Sequence, residues 1–189
     1  MSDRVGEWDE RFARGEELHG GIPSPPLPAA VEGVPPGLAL DLACGAGRHA
    51  IFLAERGWRV LAFDGSRVAI ERMLAQARER GVAGRIEARV ADLEAQGFAL
   101  AVSAYDLVCD FYFLHRPLFE QIRGAVRPGG RFAAALHLRS SPEEKGRFLL
   151  KPGELAATFA GWTILHHREG ASPEGGHKHS TAELIARRP

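Results

Sequence analysis

Leu38-Ala39-Leu40-Asp41-Leu42-Ala43-Cys44-Gly45-Ala46-Gly47-Arg48-His49 is the stretch that decides how the rest of the chain is read. An apolar run ends in an acid, a glycine turn follows, and a helical pattern then begins. A strand–turn–helix unit of this kind brings bare backbone amides close to a bound ligand. It points to a nucleotide-like cofactor at the carboxyl edge of a parallel sheet.

Downstream, strands and helices alternate. Leu38–Leu42 reads as a buried strand and Arg48–Arg56 as a helix ending at Gly57. Trp58–Phe63 is a second strand closed by Asp64. Arg67–Arg80 is an amphipathic helix stopped by Gly81. Arg85–Val90 and Tyr105–Phe111 are further strands, and Pro117–Val126 is a helix. Arg127-Pro128-Gly129-Gly130 reads as a turn, Arg131–Leu138 as a fifth strand and Lys151–Ala160 as a helix. Trp162–His167 and His179–Ala186 form an antiparallel hairpin. Such alternation predicts a parallel sheet with helices on both faces and one antiparallel strand at the C-terminal end.

Upstream, residues 3–18 read as a short charged helix with Trp8 and Phe12 on one face and Arg11 beside them. The stretch His19–Pro28 is too rich in Pro and Gly to be regular, so it reads as a loop. The expected division is residues 1–36, a lid helix with its Pro/Gly loop, and 37–189, the cofactor-binding domain.

The bulk figures fit one well-buried domain of 189 residues, 45% hydrophobic and 25% charged. Formal net charge is zero, which argues against a general nucleic-acid binder. Cys44 and Cys109 stand far apart in apolar contexts, so no disulfide framework is expected. The N-terminus lacks a secretory pattern and no apolar run reaches membrane-spanning length, so the expectation is a cytoplasmic protein without a membrane partner. Oligomeric state is not legible.

Three acids recur at strand ends: Asp41, Asp64 and Asp92. In a parallel sheet these side chains converge on one crevice. Asp64, 17 residues after Gly47, stands where an acid accepts hydrogen bonds from ribose hydroxyls. Asp92 follows the third strand, within reach of an exocyclic amine. Asp41 lies where an ammonium group can sit. An adenosine carrying a cationic tail satisfies all three. The string Gly45-Ala46-Gly47-Arg48-His49-Ala50 also fits the dinucleotide fingerprint. Against NAD, Asp41 lies where pyrophosphate would pass, and the chain has no room for a separate substrate domain.

The pieces LALDLACGAGRHA, VLAFDGS, RVADLEA, YDLVCDFYFLH and VRPGGRFAAAL stand in the order and spacing of the class I S-adenosylmethionine-dependent methyltransferases, which this chain resembles. Four further segments, WDERF, CGAGRHAIFLAERGWRVLAFD, FLLKPGELAATFAGW and STAELIARRP, are similar to the tellurite-resistance methyltransferase group, itself akin to thiopurine methyltransferases. The segment between Arg168 and Ser180 departs from that pattern.

The resemblance implies an α/β, Rossmann-like three-layer sandwich with a seven-stranded, mostly parallel sheet. It implies S-adenosyl-L-methionine as cofactor and S-adenosyl-L-homocysteine as product. Ala43, Cys44, Gly45 and Gly47 line the methionine part, with Arg48 starting the helix beside it. Asp41 faces the amino group, and Asp64, with Gly65 and Ser66, grips the ribose. Asp92 contacts the adenine amine, Leu93 offers a backbone amide to the ring, and Ala91 flanks them. Cys109 and Asp110 line the sulfonium end. Trp8 and Arg11 belong to a lid, with Arg11 meeting the methionine carboxylate.

Blander readings stand beside these. Asp64 also reads as a helix-start acid, although Ser66 is the better cap, and Asp92 as an ordinary N-cap. Asp110 also reads as a solvated loop acid and Arg48 as a surface residue. Trp8 and Phe12 also read as packing residues.

The expected activity is methyl transfer to a small-molecule acceptor, with a chalcogen oxyanion or a thiol as candidates, by in-line displacement. Asp110, His115 and Arg116 are the expected catalytic and acceptor-side residues; His115 or Asp110 serves as base if the acceptor is a neutral oxygen or amine. Phe111, Tyr112, Phe113 and Phe148 either wall the acceptor pocket or pack the core. No metal site is expected. His177 and His179, with His166 or His167, have the spacing for a metal or an oxyanion but read equally as solvated hairpin residues. The rivals are a non-catalytic cofactor-binding module on the same scaffold and an NAD-dependent oxidoreductase.

Overall fold

A computed structural model describes residues 3–15, 21–141, 143–144, 146–174 and 179–189. Seven strands form one sheet: β1 (Leu38–Leu42), β2 (Arg59–Asp64), β3 (Ile86–Val90), β4 (Tyr105–Phe111), β5 (Val126–Leu138), β6 (Thr163–Gly170) and β7 (Ser180–Arg187). Their order is β3-β2-β1-β4-β5-β7-β6. The pairs β1–β2, β2–β3 and β4–β5 are parallel, whereas β7 runs antiparallel to both β5 and β6. This is the expected Rossmann-like α/β sheet with a single reversed strand at its C-terminal end.

The helices are α1 (Asp3–Ala13), α2 (Pro26–Val31), α3 (Arg48–Glu55), α4 (Arg67–Glu79), α5 (Leu118–Ala125) and α6 (Glu154–Thr158). The chain divides into two compact units, Met1–Pro23 with Pro35–Ala99 and Ser24–Val34 with Leu100–Pro189. That division cuts across the boundary expected at residues 36 and 37.

In the first unit the apolar run Leu38–Leu42 is buried from Ala39 onward, as a strand covered on both faces must be. Its register pairs Asp41 with Ala62, and β2 pairs Asp64 with Val90. Helix α4 is capped by the Ser66 hydroxyl, which accepts the Ala69 amide at 3.1 Å. It buries Ala69, Ile70, Met73 and Ala77, the spacing of one helical face.

Gly47 stands at φ +88°, and a β-carbon there would overlap the Met73 side chain, 2.2 Å from its Cγ. The second glycine of the turn therefore permits α3 to pack on α4 as well as to start.

The second unit has its own core, in which Phe132 stacks on Phe159 at 4.4 Å and Trp162 meets Phe159 edge-on at 5.2 Å. Two local expectations give way here. The Pro-rich stretch ends in a helix, α2, because Pro26 and Pro28 fall in its first turn, where a missing N–H costs nothing. Leu27, Ala30 and Val31 are buried, and the Arg131 guanidinium donates to the Ala30 carbonyl at 2.7 Å.

Arg127-Pro128-Gly129-Gly130, expected as a separate turn, is absorbed into β5. The Gly129 amide donates to the Arg188 carbonyl at 3.0 Å, and the Arg188 amide to the Gly130 carbonyl at 2.9 Å. Gly130 is required by crowding, since a β-carbon would lie 2.9 Å from the Arg127 oxygen and 3.0 Å from the Asp106 oxygen. Two helices are also shorter than their patterns predict. Helix α1 stops at Ala13, and α6 begins only after Gly153, which adopts a left-handed backbone.

Candidate functional site

The first unit brings most of the expected cofactor residues together at the carboxyl ends of β1 and β2. The turn after β1 is tight, and Ala43 adopts φ +51°, rare for a residue bearing a β-carbon. The Cys44 amide donates to the Phe63 carbonyl at 3.0 Å, which ties the turn to β2. The Gly45 amide donates to Asp64 Oδ2 at 2.8 Å, and the Ser66 amide donates to Asp64 Oδ1 at the same distance. Asp64 thus joins the β1–α3 turn to the β2–α4 turn, through Gly45 on one side and the Gly65–Ser66 corner on the other. Each carboxylate oxygen keeps one acceptor position. Burial pushes the Asp64 carboxyl up, and the two amides oppose that shift.

Asp41 is 1% exposed. No hydrogen bond of ordinary geometry reaches either of its oxygens. Burial, reinforced by the neighbouring Asp64 charge, raises its carboxyl to about 7; the Ala50 amide and the Arg48 charge favour the ionised form by less. Arg48 itself reaches back and donates to the Ile22 carbonyl at 3.0 Å. Cys44 is buried and free, with its thiol pushed well up by burial and by the two acids. It is not a reactive thiolate.

The Ala91 amide donates to the Asp64 carbonyl at 2.8 Å, which carries the chain directly from the Asp64 corner to Asp92. Asp92 Oδ1 accepts the Glu94 amide at 3.0 Å, so Asp92 shapes its own turn; no helix follows it, and it is not the N-cap of the blander expectation. Leu93 is buried beside it at 5% exposure.

Helix α1 is fastened to α4 by two polar contacts that the sequence reading did not single out. The Ser66 hydroxyl donates to the Asp9 carboxylate, and the Arg72 guanidinium donates to the Phe12 carbonyl. An acid at the start of a thirteen-residue helix also complements its dipole. The Phe12 ring lies over the glycine turn, 3.2 Å from where a Gly45 β-carbon would sit. Trp8 touches Phe12 at 5.9 Å between ring centres, and the Arg11 guanidinium stands 4.5 Å over the Trp8 ring. Phe12, more than Trp8, meets the glycine turn, and Asp9 meets the start of α4. The signal for Phe12 was its i, i+4 pairing with Trp8; nothing local marked Asp9.

The second unit holds the remaining expected residues. Cys109 and Asp110 are buried within β4, at 0% and 1% exposure, so Asp110 is not a solvated loop acid. Phe111 belongs to the core, and Tyr112, Phe113, His115 and Phe148 are half-buried. The Tyr112 hydroxyl donates to Glu174 at 2.6 Å.

Arg116 has a structural occupation in place of a waiting one. Its Nε and Nη2 donate to the two Glu154 oxygens at 2.5 and 2.9 Å, and its Nη groups donate to the Arg147 and Leu149 carbonyls at 2.9 Å. Four of its five N–H donors are thereby used.

His179 Nδ1 lies 2.6 Å from Glu144 and His166 Nε2 3.1 Å from Glu183, so both face acids. His177 lies outside the described residues. Among the described residues no cluster of three or more His, Cys, Asp or Glu side chains is arranged to hold a metal ion.

Residues 39–130 match the methyltransferase domain family. The chain as a whole has the Rossmann-like α/β fold of S-adenosylmethionine-dependent methyltransferases.

Three particular relatives frame it more closely. TehB from Haemophilus influenzae superposes with a TM-score of 0.74 at 18% identity, over 96% of this chain and 67% of that one. The Burkholderia thailandensis 1,6-didemethyltoxoflavin-N1-methyltransferase, solved with bound 1,6-didemethyltoxoflavin and S-adenosylhomocysteine, superposes with a TM-score of 0.72 at 18% identity, over 98% of this chain and 87% of that one. In sequence, the chain is 30% identical over 150 residues to hemagglutinin 1 of Eikenella corrodens, covering 74% of this chain and 48% of that protein. The chain thus spans about half the length of that curated relative. Among the described residues no helix is long and apolar enough to cross a membrane.

Proposed function

We propose that the first unit binds S-adenosylmethionine and that the protein transfers its methyl group, in line, to a small-molecule acceptor. The observation that carries this reading is Asp41: a fully buried carboxylate beside the glycine turn, whose oxygens no hydrogen bond of ordinary geometry reaches. A buried acid whose oxygens lack well-formed hydrogen bonds is costly and calls for a cationic partner. The amino group of a methionine tail is such a partner. The bound cofactor supplies a methyl carbon already activated by a positive sulfur.

Asp64 keeps two acceptor positions, enough for a pair of ribose hydroxyls, and its amide bonds hold it in place before any ligand arrives. Asp92 and Leu93 follow at the β3 exit, on the side assigned to the base. Phe12 covers the glycine turn and excludes water from it, and Arg11, on the same helix, is the cation for a methionine carboxylate. Cys109 and Asp110 are assigned to the sulfonium end by the resemblance alone, and His115 to the acceptor by its place after β4. Near-zero net charge favours a small acceptor over nucleic acid.

A coupled assay for released S-adenosylhomocysteine, run across thiols, selenite, tellurite, phenols and amines, tests the reading. Turnover on at least one acceptor supports it. Cofactor binding without turnover on any favours a non-catalytic module on the same scaffold.

A further inference from the structure

We propose that the second unit carries a binding pocket for a small organic anion, held by Arg139 and Lys151. A cleft of about 540 Å³ opens between the end of β5, the loop that follows it and the start of α6. Its wall includes Arg116, Arg139, Glu144, Leu149, Lys151 and Glu154.

The charges in this wall are not equivalent. Both Glu154 oxygens are taken, by the Arg116 guanidinium and the Lys151 amide. Both Glu144 oxygens are taken as well, by His179 and the Ser140 amide. Arg116 is spent on Glu154 and two carbonyls. By contrast, among the described residues no hydrogen bond uses the Arg139 guanidinium or the Lys151 ammonium. The Arg139 charge acts on Glu144 and the Lys151 charge on Glu154. The acids' oxygens are already engaged by the protein, whereas the donors of the two cations are not.

The cleft is also held in shape. The Arg139 amide donates to the Leu150 carbonyl and the Leu150 amide to the His137 carbonyl, both at 2.9 Å. This closes the 139–150 loop at its base as a bridge between Leu138 and Leu150. Arg116 pins the far side of the loop through the Arg147 and Leu149 carbonyls.

A cleft of this volume is of the size that takes small organic ligands, and a bare inorganic oxyanion would leave most of it empty. A guanidinium fork beside an ammonium suits a carboxylate, with Leu149 supplying apolar contact for the body of the ligand.

The inference stands without the cofactor reading of the first unit, and its test needs no cofactor. Benzoate, its neutral counterpart benzamide, and inorganic phosphate are titrated into the unliganded protein by ligand-observed NMR. Benzoate is expected to bind roughly tenfold more tightly than benzamide or phosphate. Arg139→Gln and Lys151→Gln are each expected to weaken benzoate by roughly tenfold, the loss of one charge-assisted hydrogen bond. The thermal midpoint of each variant, measured on the same samples, shows that it is folded. Equal binding of benzamide, equal binding of phosphate, or benzoate affinity unmoved by both substitutions overturns the proposal.

Discussion

Asp64 Oδ2 accepts the backbone amide of Gly45 at 2.8 Å, across 19 residues of sequence. Through this bond the acid expected to serve the ligand also builds the turn that receives it. Asp64→Ala leaves the Gly45 and Ser66 amides without their acceptor, at about 1–3 kcal/mol for each buried donor left unpaired. The variant is expected to be destabilised in urea denaturation and, by calorimetry, to bind S-adenosylhomocysteine at least ten times more weakly. Unchanged affinity removes Asp64 from the site.

Asp41 makes stability depend on pH in an unusual direction. Its carboxyl is raised to about 7 in the folded chain, so between the ordinary Asp value of about 4 and pH 7 the folded state holds more protons than the unfolded. Stability from this group is complete below pH 4 and is lost as pH rises toward 7. Asp41→Asn is expected to abolish that loss, by a few kcal/mol at most at pH 8. Binding of a cationic amino group needs the ionised form, so affinity for S-adenosylhomocysteine is expected to rise from pH 6 to 8 in the parent protein and to stay flat in Asp41→Asn. Denaturation midpoints and calorimetry over that range measure both.

The contact between Gly47 and Met73 predicts a specific non-additivity. Gly47→Ala places a β-carbon inside the Met73 side chain and forces alanine into a left-handed backbone. It is expected to cost about 2–4 kcal/mol. In a Met73→Ala background the steric part disappears and only the backbone part remains, so the increment is smaller. Equal costs in the two backgrounds disprove the packing role.

Arg116→Ala is expected to act through the loop it holds. The Glu154 pair is partly exposed, so the stability loss is only about 1 kcal/mol. Amide hydrogen exchange over residues 147–150 is expected to speed up. A fall in activity with exchange unchanged instead assigns Arg116 to the acceptor.

The strands were legible because their signals are local. Buried β-runs such as Leu38–Leu42 and Tyr105–Phe111 carry their apolar pattern in the residues themselves, and their ends fell where expected. Asp41, Asp64 and Gly45 were legible through strand–turn spacing. Helix α2 was missed because Pro in a first turn looks, in sequence, like Pro in a loop. The merging of Arg127–Gly130 into β5 depends on Arg188, far along the chain, and no local pattern records it. Asp9 and Arg72 were invisible for the same reason, since their partners lie 57 and 60 residues away. Arg116 was read by its position after β4, whereas Glu154, 38 residues on, decides what it does.

The central claim is that the turn bounded by Asp41 and Asp64 holds a sulfonium nucleoside. Isothermal titration of the intact protein with S-adenosylhomocysteine and, separately, with NADH tests it most directly. The account predicts saturable binding of S-adenosylhomocysteine that Asp41→Asn weakens, and no binding of NADH. Failure of S-adenosylhomocysteine to bind at saturating concentration, or binding that Asp41→Asn leaves intact, contradicts it.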